Sequence, residues 1–185
     1  VDRRPASLDE VESQVWDELG RAVADRRHPW RTPVLATTAD GGLPDARTVV
    51  LREADAAARR LVVYTDDRAA KVAQLRRQPV GMVVMWSPVL GWQLRCRVRL
   101  ALADPGLATS ARWARVRLSP SAQDYLAPFA PGTPLPAEAP THPAVPHEHF
   151  AVIEAAVESL DWLELHRDGH RRARFDAAGR RWLQP

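Results

Sequence analysis

The chain has 185 residues, 45% hydrophobic and 26% charged, with a formal net charge of +3 and one cysteine. That length supports one domain with a real core, and the lone Cys96 excludes an intrachain disulfide. The small charge, with no long basic block and no nucleic-acid motif, argues against a nucleic-acid partner.

An amphipathic helix is predicted first. Leu8, Val11, Val15, Trp16 and Leu19 recur at helical spacing, with Ser7 as N-cap and Glu10 completing a capping box. It ends before His28-Pro29, so residues 1–28 form a helical addition and 29–185 the main domain. Thr32–Thr38 and Ala46–Arg52 read as strands around a Gly-rich turn, Glu53–Arg60 as a polar connection, and Leu61–Tyr64 as a third strand. Thr65-Asp66-Asp67 reads as the cap of a helix over Ala69–Arg77, closed by Pro79, and Val80–Trp86 as a fourth strand. In Trp92–Ala103, Gln93, Arg95, Arg97 and Arg99 alternate with Leu94, Cys96, Val98 and Leu100, which puts the polar set on one face of a strand.

Pro105 to about Tyr125 reads as helical, with Trp113 on it. Residues 127–146 are too rich in proline for a helix or a central strand and form a crossing loop or lid. Phe150–Val157 is a short apolar segment. Leu160–His166 and Arg171–Phe175 form a hairpin about Asp168-Gly169, and Gly179 makes a last turn. Many short strands with a few helices predict a mainly antiparallel, closed β-barrel in a single domain.

The chemistry concentrates between Arg47 and Lys71. If the flanking strands pair, Arg47, Arg52, Arg68 and Lys71 come together beside a helix N-terminus, a plausible phosphate site. Lys71 is the only lysine; every other fixed cation is arginine, and a compact ammonium is not interchangeable with a guanidinium fork. No metal set is predicted: His142, His147 and His149 flank prolines in or at the end of the 127–146 loop and read as surface residues. No G-x-S-x-G and no G-x-G-x-x-G is present, as expected where a cofactor carries the chemistry. No apolar run has membrane-spanning length and no signal peptide is recognisable, so the expected setting is cytoplasmic, without a membrane partner.

R-T-V-V-L-R at Arg47–Arg52, Tyr64-Thr65 followed by Lys71, W-Q-L-R at Trp92–Arg95, R-x-R-F at Arg172–Phe175 and the terminal W-L-Q-P stand in the order found in one family. In this combination the chain resembles the pyridoxamine 5′-phosphate oxidase family. The resemblance implies an FMN-binding split β-barrel, a homodimer with FMN at the subunit interface, and a small anionic substrate. It assigns Arg47, Thr48, Val49, Val50, Arg52, Tyr64, Thr65, Lys71 and Arg174 to FMN, with Gln93 reaching the flavin of the other subunit. The family's arginine before the phosphate lysine is Ala70 here, with Arg68 as a candidate replacement.

On the substrate side the resemblance implies Trp113, Arg117, Ser121, His170 and Arg172. This side departs from the family. An Arg-x-His that grips substrate there reads His170-Arg171-Arg172 here, and a tyrosine of the substrate helix is Trp113. The expected function is therefore an FMN-dependent oxidoreductase of unassigned substrate. The alternatives are a genuine pyridoxamine or pyridoxine 5′-phosphate oxidase, and a flavin- or haem-binding protein without turnover.

Overall fold

The computed structural model describes residues 4–135 and 148–185. Most of the proline-rich loop, with His142 and His147, lies outside the described residues. Helix α1 spans Leu8–Ala24. The Ser7 Oγ accepts from the Glu10 amide at 3.1 Å, and the Glu10 carboxylate accepts from the Ala6 amide at 2.5 Å. Val11, Val15, Leu19 and Ala22 form its buried stripe, and Trp16 packs at the margin. Cys96 is fully buried, as expected of a small apolar residue, and burial pushes its thiol up to about 12.

The strands are β1 (Val34–Thr38), β2 (Pro44–Thr48), β3 (Leu51–Asp55), β4 (Arg60–Asp66), β5 (Val80–Ser87), β6 (Trp92–Leu102), β7 (Phe150–Glu164), β8 (Arg171–Asp176) and β9 (Gly179–Leu183). All pairings are antiparallel, in the order β2-β1-β5-β6-β7-β4-β3, with β8 on β7 and β9 on β8. β7 pairs β6 along one edge; along the other its first half holds β4 and its second half β8. Helices α2 (Ala70–Arg77) and α3 (Leu107–Arg117) lie outside the sheet, and a 3-10 turn covers Pro120–Tyr125.

Five expectations are corrected. Ala46–Arg52 is not one strand: the ladder changes partner at Val49-Val50, β2 pairing with β1 and β3 with β4. The two edges of the sheet are thus consecutive in sequence, and the barrel is split rather than closed by hydrogen bonds. The Glu53–Arg60 connection is shorter than predicted, because β3 runs to Asp55. Phe150–Val157 and Leu160–Glu164 belong to one strand, which ends before Leu165 and lies opposite a register shift between Arg97 and Val98. Finally, α2 has Ala69 at its N-cap with no side-chain cap. The Asp66 carboxylate accepts instead from the amide and guanidinium of Arg68.

The core runs inside the sheet, with Trp30, Trp92 and Trp162 in series at centroid distances of 6.4 and 5.3 Å. At its end sits Glu164, only 3% exposed. Its Oε2 accepts from Arg4 (2.6 and 3.0 Å) and from Arg171 (2.8 Å), which fastens the N-terminal segment to the sheet. Burial pushes this carboxyl up, but the bonds from Arg171 and Arg4 outweigh it and hold it below the ordinary range. A depressed carboxyl contributes stability above its unfolded pKa and loses it as pH falls through the folded value. Melting temperature should therefore drop as pH falls below about 4. Glu164→Gln, less stable at neutral pH, should show a shallower drop; parallel pH profiles for the two proteins would refute this. Among the described residues, no helix is long and apolar enough to cross a membrane.

Candidate functional site

Two separate cationic groups emerge from the four cations expected to cluster. The first joins β1, β2 and α2. Arg47 on β2 donates to Thr37 Oγ1 (2.5 Å) and Gln74 Oε1 (3.1 Å) and pairs with Asp45 (2.5 Å). Lys71, in the first turn of α2, donates to Thr65 Oγ1 at 3.1 Å at the end of β4. It makes no ion pair among the described residues. Burial, then the neighbouring Arg47, pushes the Lys71 ammonium below its ordinary pKa. Arg47 and Lys71 thus share a half-buried site whose charge is incompletely neutralised.

Arg68 does not join this group. Its guanidinium binds both Asp66 oxygens (3.0 and 2.7 Å) and donates to the carbonyl oxygens of Ala127 (2.9 Å) and Phe129 (3.3 Å). It fastens the start of the proline-rich loop instead of standing in for the arginine absent at Ala70. Beside it, Asp66, Asp67 and His149 offer ligand atoms within 4.8 Å of one another, a grouping the sequence did not suggest. Asp66 is already committed there to Arg68, and His149 Nδ1 lies 3.2 Å from Asp67.

Arg52 belongs to the second group, because β3 bulges between Leu51 and Glu53. Its guanidinium carbon lies 5.4 Å from the Tyr64 ring centroid, and its buried Nε has no partner among the described residues. Both residues line an open cleft of about 540 Å³ with Arg26, Arg31, Arg112, Arg115 and Ser121. Arg112 forms a fork on Glu53 (2.7 and 2.8 Å), and the Tyr64 hydroxyl donates to Glu53 Oε1 at 3.3 Å. Burial, then the Glu53 charge, raises the Tyr64 pKa.

Of the predicted substrate residues, Ser121 lines this cleft. Trp113 is buried against Tyr125 and Phe150, and Arg117 is exposed at the end of α3 outside the cleft lining. His170 is exposed in the β7–β8 turn, where its Nδ1 accepts from the His166 amide. Arg172 lies on β8, forked on Asp161 (3.0 and 2.8 Å), with Arg95 on the same carboxylate at 2.8 Å. Within one chain, then, the cleft does not join the His170–Arg172 pair to Ser121.

Register places Gln93 opposite Trp86 and Arg95 opposite Val84, on one sheet face with Val34. Trp86 is 45% and Val34 37% exposed there. Arg174 lies on β8 opposite Asp161 and donates to Asp176 at 2.9 Å. Thr48 is exposed, and Val49 and Val50 are half-buried where the chain changes edge. The sequence reading missed Arg26, Arg31, Glu53, Arg112 and Arg115.

A sequence model of the pyridoxamine 5′-phosphate oxidase FMN-binding domain matches residues 13–104, which carry both cationic groups except for the α3 side of the cleft. Over these residues the chain matches this family of FMN-binding domains, and its fold is a split barrel. Solved structures share the fold. A pyridoxamine 5′-phosphate oxidase-related, FMN-binding protein from Nostoc punctiforme is 24% identical over 94% of this chain and 96% of that one, with a TM-score of 0.71. PhzG from Burkholderia lata, solved with tetrahydrophenazine-1-carboxylic acid, is 16% identical over 100% and 99%, with a TM-score of 0.74. A heme binding protein from Mycobacterium smegmatis is 16% identical over 85% and 57%, with a TM-score of 0.52. No curated protein matches the chain.

Proposed function

We propose that the chain is an FMN-dependent oxidoreductase, active as a homodimer on a small anionic substrate. The observation that carries this reading is Lys71. A half-buried ammonium beside Arg47, bonded among the described residues only to a hydroxyl, is suited to a phosphate, and it lies in the segment matched by the FMN-binding domain. The residues present therefore fit the phosphate end of FMN. Bound there, FMN would supply hydride or electron transfer. Lys71 and Arg47 hold the phosphate, and the Thr48–Val50 segment, where the sheet changes edge, lies beside the strand that carries Arg47. Arg52, Tyr64 and Ser121 bind and orient the substrate in the adjoining cleft. The likeness to PhzG, whose complex holds a carboxylate-bearing small molecule, agrees with an anionic substrate.

Dimerisation rests on the face that carries Gln93, where Trp86 and Val34 leave apolar surface exposed on a sheet. A second copy seated there covers that surface and brings Gln93 across to the flavin. FMN titration followed by absorbance and sedimentation should show one flavin bound per chain and a dimer stabilised by it. A monomer that binds FMN at full stoichiometry would overturn the dimer. A purified protein that takes up no FMN would overturn the cofactor.

A further inference from the structure

The cleft beside the flavin site is more cationic than one anionic group requires. Its walls come from different parts of the chain: Arg26 and Arg31 follow α1, Arg52 and Tyr64 lie on β3 and β4, and Arg112, Arg115 and Ser121 lie on α3 and the turn after it. Among the described residues, no carboxylate lines it. Among the described residues, only Arg112 of the five arginines is in an ion pair, with Glu53. Arg31 is fixed by neutral acceptors, the carbonyl oxygens of Ala22 (3.3 Å) and Val23 (2.5 Å) at the end of α1. Burial, then repulsion from Arg52 and Arg26, pushes its pKa down. Among the described residues, the buried Arg52 Nε has no partner. Like charges gathered on a partly desolvated surface repel one another, and a bound anion relieves that cost.

A volume of about 540 Å³ is that of a small-molecule site, larger than a lone phosphate or carboxylate needs. One such group can neutralise the guanidinium groups of one wall and leaves the other wall bare. We propose that the cleft selects a substrate bearing two separate anionic groups, one held by Arg26 and Arg31, the other by Arg115 and Ser121, with Arg52 between them. This deepens the reading of the chain as an oxidoreductase of small anions and rests on it.

The test uses two probes of one skeleton, glycerol 3-phosphate with one anionic group and 3-phosphoglycerate with two. Their affinities are measured by calorimetry at fixed ionic strength, on the protein with and without FMN. The second probe should bind at least about tenfold more tightly, the worth of one additional charged hydrogen bond. Arg26→Ser and Arg115→Ser alter exposed residues, so folding should survive. Each should cut the preference to about threefold or less, having lost the charge on one wall. Equal affinity for the two probes, no binding of either, or a preference that both variants retain would overturn the proposal. If FMN fails to bind while the preference stands, the oxidoreductase reading falls and the cleft remains. If FMN binds and the preference is absent, the reverse holds.

Discussion

Lys71→Ala should weaken FMN by about tenfold to a hundredfold and leave riboflavin affinity unchanged. The ammonium recognises the phosphate and nothing else on the cofactor, and a hydrogen bond to a charged group contributes about 1.5–3 kcal/mol. Arg68 is spent on Asp66 and the 127–129 carbonyls, and Arg47, the other cation of the phosphate site, is shared with Asp45 and Gln74, so neither makes up for the lost ammonium. The same bond predicts a pH effect. Burial and Arg47 lower the Lys71 pKa in the free protein, while a bound phosphate favours the charged form. FMN affinity should therefore fall as pH rises through that lowered value, and riboflavin affinity should not. Fluorescence titration of both flavins across alkaline pH measures it. Equal losses for the two flavins in the variant would remove Lys71 from phosphate recognition.

Much of the fold was legible because periodicity reports burial. β6 alternates as the sequence predicts, with Leu94, Cys96, Val98 and Leu100 buried between exposed or half-buried Gln93, Arg95, Arg97 and Arg99. Two features hid from it. Arg47–Arg52 is an unbroken β-type run, and nothing in such a run marks a change of pairing partner at Val49-Val50. In β7 the register shift changes the phase of burial: Ile153, Ala155 and Val157 face the core, then Leu160 and Trp162. A strand whose alternation slips by one residue reads as two strands.

The site was legible only in part, for a similar reason. Trp113 and Val116 fix the buried stripe of α3. At 3.6 residues per turn, Arg112 and Arg117 flank that stripe on opposite sides, and the sequence does not say which side meets the cleft. Family spacing pointed to Arg117; the structure puts Arg112 and Arg115 there. Arg26 and Arg31 carry no local signal, because only the fold brings the end of α1 beside β3.

The FMN-loaded protein should oxidise pyridoxine 5′-phosphate far below the ordinary enzymatic efficiency of about 10⁴ M⁻¹ s⁻¹. Resemblance to the family implies an Arg-x-His that grips this substrate, and here the order is His170-Arg171-Arg172. Neither end of the exchanged pair offers a free fork. Arg172 gives its Nε and a terminal nitrogen to Asp161, and that bond raises its pKa. Burial pushes the Asp161 carboxyl up, but the bonds from Arg172 and Arg95 hold it below the ordinary range, so the carboxylate stays ionised and keeps both arginines at neutral pH. His170 takes the His166 amide on Nδ1 and offers an imidazole where the family has a guanidinium. Arg52 and Ser121 can still bind the phosphate, so affinity can survive while alignment fails. A misplacement of about 1 Å can cost on the order of a hundredfold in rate. Exchanging the pair with His170→Arg and Arg172→His should raise the activity, because the new guanidinium falls outside the reach that Asp161 now satisfies. Steady-state oxygen consumption with pyridoxine 5′-phosphate measures both proteins. Efficient turnover by the unaltered chain would make it a genuine pyridoxine 5′-phosphate oxidase.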